Sequence, residues 1–101
     1  MPGTGEVYGD DYRLLRPLGE GGMGTVWVAE QLSTGRERAV KLMHERFVDD
    51  AGLRERFVRE ARVGAMIDSE HVAEVLAAGV EADTGIPWMA MACRYRTTGL
   101  C

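Results

Sequence analysis

The stretch LGEGGMGTVWVAE, Leu18 to Glu30, decides how this chain is read: Gly19, Gly21 and Gly24 stand at G-x-G-x-x-G spacing and lead directly into a β-like run. In a dinucleotide-binding βαβ unit such glycines open a helix whose N-terminus holds the pyrophosphate. Here the following residues, Thr25-Val26-Trp27-Val28, are β-branched and aromatic, and so predict a strand. A G-x-x-x-x-G-K-[ST] phosphate loop is excluded because Thr25, not lysine, follows Gly24. Two readings remain. One is a plain flexible turn in a chain with 13 glycines. The other is a hairpin whose backbone can lie close over a polyphosphate because no Cβ intrudes.

A lid over phosphates needs a cation beneath it, and the chain has one lysine, Lys41, against eleven arginines. A lone lysine in an arginine-rich chain marks a place that wants a compact ammonium instead of a planar fork. The flanking residues supply the frame. YRLLRPLG predicts a first strand, TVWVAEQL a second, STGR a turn and ERAVKLM a third, an antiparallel meander with Lys41 on the strand beside the hairpin. From about Ala51 to Asp68 the period becomes helical. Leu53, Phe57, Val63, Gly64 and Ile67 fall within about 60° of Glu60, while Arg54, Glu55 and Arg62 lie opposite. An acid centred on an apolar face is costly unless paired. Its candidate partners are Lys41 and, one turn earlier on the same helix, Arg56. HVAEVLAAGVE and IPWMAM then predict two further strands joined across the turn ADTG. The expected class is α+β, a five-stranded antiparallel sheet with one long helix.

Composition narrows the function. A chain of 101 residues with 46% hydrophobic content supports one modest core. The net charge of −4 disfavours nucleic acid and anionic membrane as partners. No apolar run approaches the roughly 20 residues that cross a bilayer, so a cytoplasmic protein is expected. Residues 1–11 read as a flexible leader, 12–91 as the folded domain and 92–101 as an irregular tail. Cys93 and Cys101 have no spacing that suggests a disulfide framework or a zinc site, His44 and His71 read as ordinary loop or strand-end residues, and the six methionines as core filler.

Together these residues resemble the N-terminal lobe of eukaryotic-like bacterial serine/threonine protein kinases, over Tyr12 to about Met91. The resemblance rests on Gly19, Gly21, Gly24 and Val26 in the glycine-rich loop, on Ala39-Val40-Lys41 for the family's V-A-I-K, and on Glu60 within RFVREA at the αC position. It implies that Lys41 contacts the α- and β-phosphates of ATP and pairs with Glu60, the two catalytic candidates. It further implies a nucleotide-covering segment made of Leu18, Gly19, Glu20, Gly21, Gly22, Met23, Gly24, Thr25 and Val26, with Val26 and Ala39 roofing the adenine and Met91 at the gatekeeper position. No H-R-D-x-x-x-x-N, D-F-G or A-P-E occurs, so the Mg2+ ligands of the family are missing from this sequence. The expectation is a truncated or frame-shifted kinase gene or a domain fragment that holds ATP weakly and transfers no phosphate alone, with a protein substrate only in a full-length form. Two other readings stay open: a non-catalytic vestige that binds nucleotide or a partner, and an aspartic protease built on Asp83-Thr84-Gly85.

Overall fold

The structure is a computed structural model. It describes residues 3–20, 24–63, 65–66 and 72–93, with side chains within 3–20, 24–59 and 74–92. In chain order the elements are β1 (Val7–Tyr8), β2 (Tyr12–Glu20), β3 (Gly24–Gln31), β4 (Arg36–Met43), a turn of 3-10 helix at Glu45–Phe47, α1 (Ala51–Val63), β5 (Ala65–Met66), β6 (Val72–Val80) and β7 (Pro87–Cys93). The strands form one antiparallel sheet in the order β1-β2-β3-β4-β7-β6-β5.

The five expected strands are its five long members, and their turns follow turn chemistry. Gly35, at φ 74°, closes the β3–β4 connection with its N–H donating to the Gln31 carbonyl at 2.7 Å. Gly85, also at φ 74°, does the same for β6–β7, donating to the Glu81 carbonyl at 2.8 Å. Asp50 caps α1, its carboxylate accepting from the Leu53 N–H at 3.1 Å.

Three expectations are corrected. Among the described residues the sheet has seven strands instead of five, because two-residue strands extend both edges. The helix expected to run to Asp68 ends at Val63, and Ala65–Met66 pair with Ala73 and Val72 of β6. An unpaired edge strand offers a row of backbone donors and acceptors, and satisfying them outweighs a helical period. At the other edge, residues 5–11 are not a loose leader. Val7 and Tyr8 pair with Arg13 and Tyr12. Gly9 and Asp10 both take φ 59°, the left-handed pair that a tight hairpin requires.

The sheet curls strongly. Tyr8 of β1 and Tyr12 of β2 reach Trp88 of β7, with ring centroids 6.5 and 5.8 Å apart, although β3 and β4 lie between. Curling closes one face on itself over an aromatic core of Tyr8, Tyr12, Leu14, Trp27, Leu42 and Trp88. The opposite face carries α1 and a second cluster of Ala39, Met43, Phe57, Met89 and Met91, with Val26 and Leu53 packed against it. These are called here the outer and inner faces.

Candidate phosphate-facing site on the inner face

Strand alternation gathers the expected residues. Across β3, β4 and β7 the register aligns Val26 with Lys41 and Lys41 with Met89 in one row, and Val28 with Ala39 and Ala39 with Met91 in the next. Residues opposite each other in a pleated sheet share a face. Val26, Ala39, Lys41 and Met91 therefore all stand on the inner face, the side that α1 covers. Ala39 and Met91 are buried, and Val26 and Lys41 half-buried. The Lys41 ammonium lies 5.7 Å from the centroid of the Phe57 ring, a residue of α1 that is 1% exposed.

The side chain of Glu60 lies outside the described residues, as do Gly21, Gly22 and Met23 of the loop, Gly64, Ile67, His71, Cys101 and the side chains of Val63 and Cys93. The backbone at position 60 belongs to α1, three residues beyond Phe57.

The two described glycines of the motif have different reasons to be glycine. A Cβ on Gly24 would overlap the Leu42 carbonyl oxygen and lie 2.9 Å from its carbon and 3.2 Å from Met43 Cα. Gly24 is thus required by the approach of β3 to β4, next to Lys41. Among the described residues, a Cβ on Gly19 would meet nothing within 4 Å.

Other expected residues are not brought to this face. Thr25 pairs with Leu42, an outer-face residue, and its hydroxyl accepts a hydrogen bond from Trp27 Nε1 at 3.2 Å. Glu20 pairs with Thr25 and is exposed, while Leu18, at the bulge between Pro17 and Gly19, is 49% exposed and has no strand partner that fixes its face. Asp83, Thr84 and Gly85 form the β6–β7 turn, where the Asp83 N–H donates to Glu81 Oε1 at 2.9 Å and the Thr84 hydroxyl accepts from the Ile86 N–H at 3.3 Å. These local bonds account for the tripeptide as a turn. Among the described residues, no three His, Cys, Asp or Glu side chains gather as a metal site, and no helix is long and apolar enough to cross a membrane. A cleft of about 590 Å³ between α1 and the β6–β7 turn, lined by Arg54, Val58, Arg59, Val80 and Pro87, contains none of the expected site residues.

Sequence reasoning missed two members of this face. Met89 stands beside Lys41, and its signal was its alternation with Met91 along β7. Helical phase puts Phe57 on the apolar face, but its contact with Lys41 depends on how the helix docks.

The aromatic core beneath the outer face has its own geometry. Trp88, 6% exposed, is held between two glycines. A Cβ on Gly9 would lie 2.5 Å from its six-membered ring, and one on Gly79 would lie 3.2 Å from the indole. The N-terminal hairpin is tied down by Asp11, whose carboxylate accepts from the Ser33 hydroxyl and the Ser33 N–H, each at 2.8 Å. The Ser33 hydroxyl most of all, with the Ser33 N–H and Gln31 adding to it, holds the Asp11 carboxyl below its ordinary value, against an opposing effect of desolvation. Burial pushes the Tyr8 hydroxyl well above the usual tyrosine range, and its donation to Glu6 at 2.9 Å adds to the effect.

No protein-family profile matches the chain. Individual relatives do. It is 43% identical over 72 residues to the serine/threonine-protein kinase Pkn2 of Myxococcus xanthus, covering 71% of this chain and 9% of that protein. It is 45% identical over 67 residues to PknA of Corynebacterium glutamicum, covering 66% of this chain and 14% of that one. A DNA damage-responsive serine/threonine-protein kinase of Deinococcus radiodurans, RqkA, is 39% identical over 92 residues, 90% of this chain and 14% of RqkA. Among solved structures, the PknI kinase domain of Mycobacterium tuberculosis superposes with a TM-score of 0.65 at 28% identity, over 90% of this chain and 36% of that domain. The chain thus spans a small part of the length of these relatives. Its homologues are bacterial serine/threonine protein kinases, and its fold is consistent with the N-terminal lobe of their kinase domain.

Proposed function

We propose that the inner face of β3, β4 and β7 is an ATP site, in which Lys41 holds the nucleotide's phosphates beneath the β2–β3 hairpin. The observation that supports this most is the convergence of Val26, Ala39, Lys41 and Met91 on one sheet face by register alone. The residues fit such a ligand. Ala39 is small, Val26 and Met91 offer an apolar roof, and no described residue crowds a Cβ at Gly19. An ammonium on a four-carbon stem acts on a polyphosphate as a point charge, and in a half-buried position it is screened less than on an open surface.

The proposed work of these residues is binding and orientation. Lys41 draws the phosphates toward β4, and the hairpin backbone excludes water above them without a Cβ in the way. We place Glu60 as the carboxylate that steadies Lys41, since position 60 follows Phe57 by three residues on the helix that already touches the lysine. ATP supplies the γ-phosphoryl group that a protein kinase transfers, with Mg2+ neutralising charge. Transfer to a protein substrate is proposed for the whole kinase to which a lobe of this family contributes.

Equilibrium dialysis with labelled ATP tests this reading on the chain and on Lys41→Met. Saturable binding by the chain, weakened at least about tenfold in the variant, is expected for loss of a charge-assisted phosphate contact. Equal binding by both, or none by the native chain, contradicts it.

A further inference from the structure

We infer that Phe57 is a positioning residue for Lys41, its ring serving as the seat on which the ammonium rests. This deepens the nucleotide reading and rests on Lys41 being the phosphate-facing cation.

The inference comes from the surroundings of the ring. Phe57 is 1% exposed and belongs to a cluster whose other members, Ala39, Met43, Met89 and Met91, are aliphatic or thioether side chains. The Lys41 ammonium stands 5.7 Å from the ring centroid, inside the roughly 6 Å range in which the negative face of an aromatic ring attracts a cation. A lysine stem has many rotamers, and fixing one of them for a ligand is entropically costly. A ring fixed in a close-packed cluster lowers that cost before a ligand arrives, because it favours the rotamers that keep the ammonium over its face. An aliphatic residue of similar bulk fills the space without offering that electrostatic face.

Phe57 belongs to α1 and Lys41 to β4, so the contact also links helix to sheet. A movement of α1 carries the seat with it. Lys41 then receives its orientation from the helix through an apolar residue, in addition to any carboxylate.

The chain's single lysine makes the test direct. In protein labelled with 13C-lysine, one set of side-chain signals reports on Lys41. The expected result is that its ε-protons resonate upfield of free lysine through the ring current of Phe57. The displacement is kept in Phe57→Tyr and lost in Phe57→Leu, with no nucleotide present. In parallel, labelling of Lys41 by an acyl-phosphate ATP probe should fall about two- to fivefold in Phe57→Leu and hold in Phe57→Tyr, the range that one cation–π contact carries. Free-lysine shifts in the native chain overturn the inference without any substitution, so a variant that fails to fold does not shield it. A displacement that survives in a folded Phe57→Leu chain overturns it equally. Failure of the nucleotide reading looks different: the ring-current shift is present, but labelling of the native chain is indifferent to ATP.

Discussion

The two faces of the same three strands are built from different materials. On the outer face β3, β4 and β7 present Trp27, Val40, Leu42 and Trp88, bulky and stiff side chains that meet Tyr8, Tyr12 and Leu14 where the sheet curls over. On the inner face the same strands present Val26, Ala39, Met89 and Met91 around Lys41. Thioethers with three rotatable bonds adapt to what they meet, and alanine leaves room. One residue to each side, in alternation, lets a short sheet build two faces of different packing. On the outer face, among the described residues, rigid aromatics meet the N-terminal hairpin, with Val48 and Ala77 packed against them. The inner face can be softer because α1 supports it.

The largest effect that would break this comparison is truncation of the outer anchor. Trp88→Ala should destabilise the chain by about 3–5 kcal/mol in denaturant titration, whereas Met91→Leu on the inner face should cost under about 1.5 kcal/mol. Comparable losses at the two positions would contradict the division.

The hairpin sharpens the contrast with smaller effects. Gly24→Ala should cost about 1–3 kcal/mol, because the added Cβ meets the Leu42 backbone. Gly19→Ala, which meets nothing, should stay within about 0.5 kcal/mol. Thermal melts of the two variants check this ordering.

The smallest expected effect concerns acid. The Asp11 carboxyl is depressed below its ordinary 3.8 by bonds that form only in the folded chain, first to the Ser33 hydroxyl. Its contribution is therefore full above that value and is lost as pH falls through the lower folded one. Melting temperature should drop less steeply with acid in Asp11→Asn than in the native chain. Parallel acid profiles would show that this tie of the N-terminal hairpin carries no weight.

Much of this architecture was legible in the residues. Val26, Val28, Ala39 and Lys41 announced strands by alternation, Gly35 and Gly85 announced turns, and a solitary lysine in arginine-rich company pointed to its own position. What escaped depends on contacts distant in sequence. A two-residue strand such as β5 has too short a period to read, and only its partner β6 defines it. Gly-Asp between Tyr8 and Tyr12 was a local hairpin signal, but the small polar composition around it concealed it. Thr25 was carried into the site with the whole loop, although the alternation that places Val26 inward places its neighbour outward. The contact of Phe57 with Lys41 follows from the docking of a helix on a sheet, which periodicity does not specify.

The central claim is that Lys41, on the soft face, meets the phosphates of ATP. The most direct measurement is covalent labelling by an acyl-phosphate ATP probe, read by peptide mass spectrometry with and without excess ATP. The account predicts acylation at Lys41 that millimolar ATP suppresses. Acylation of Lys41 at the same extent with and without ATP would contradict it, and would leave the inner face a packing surface with a lysine on it.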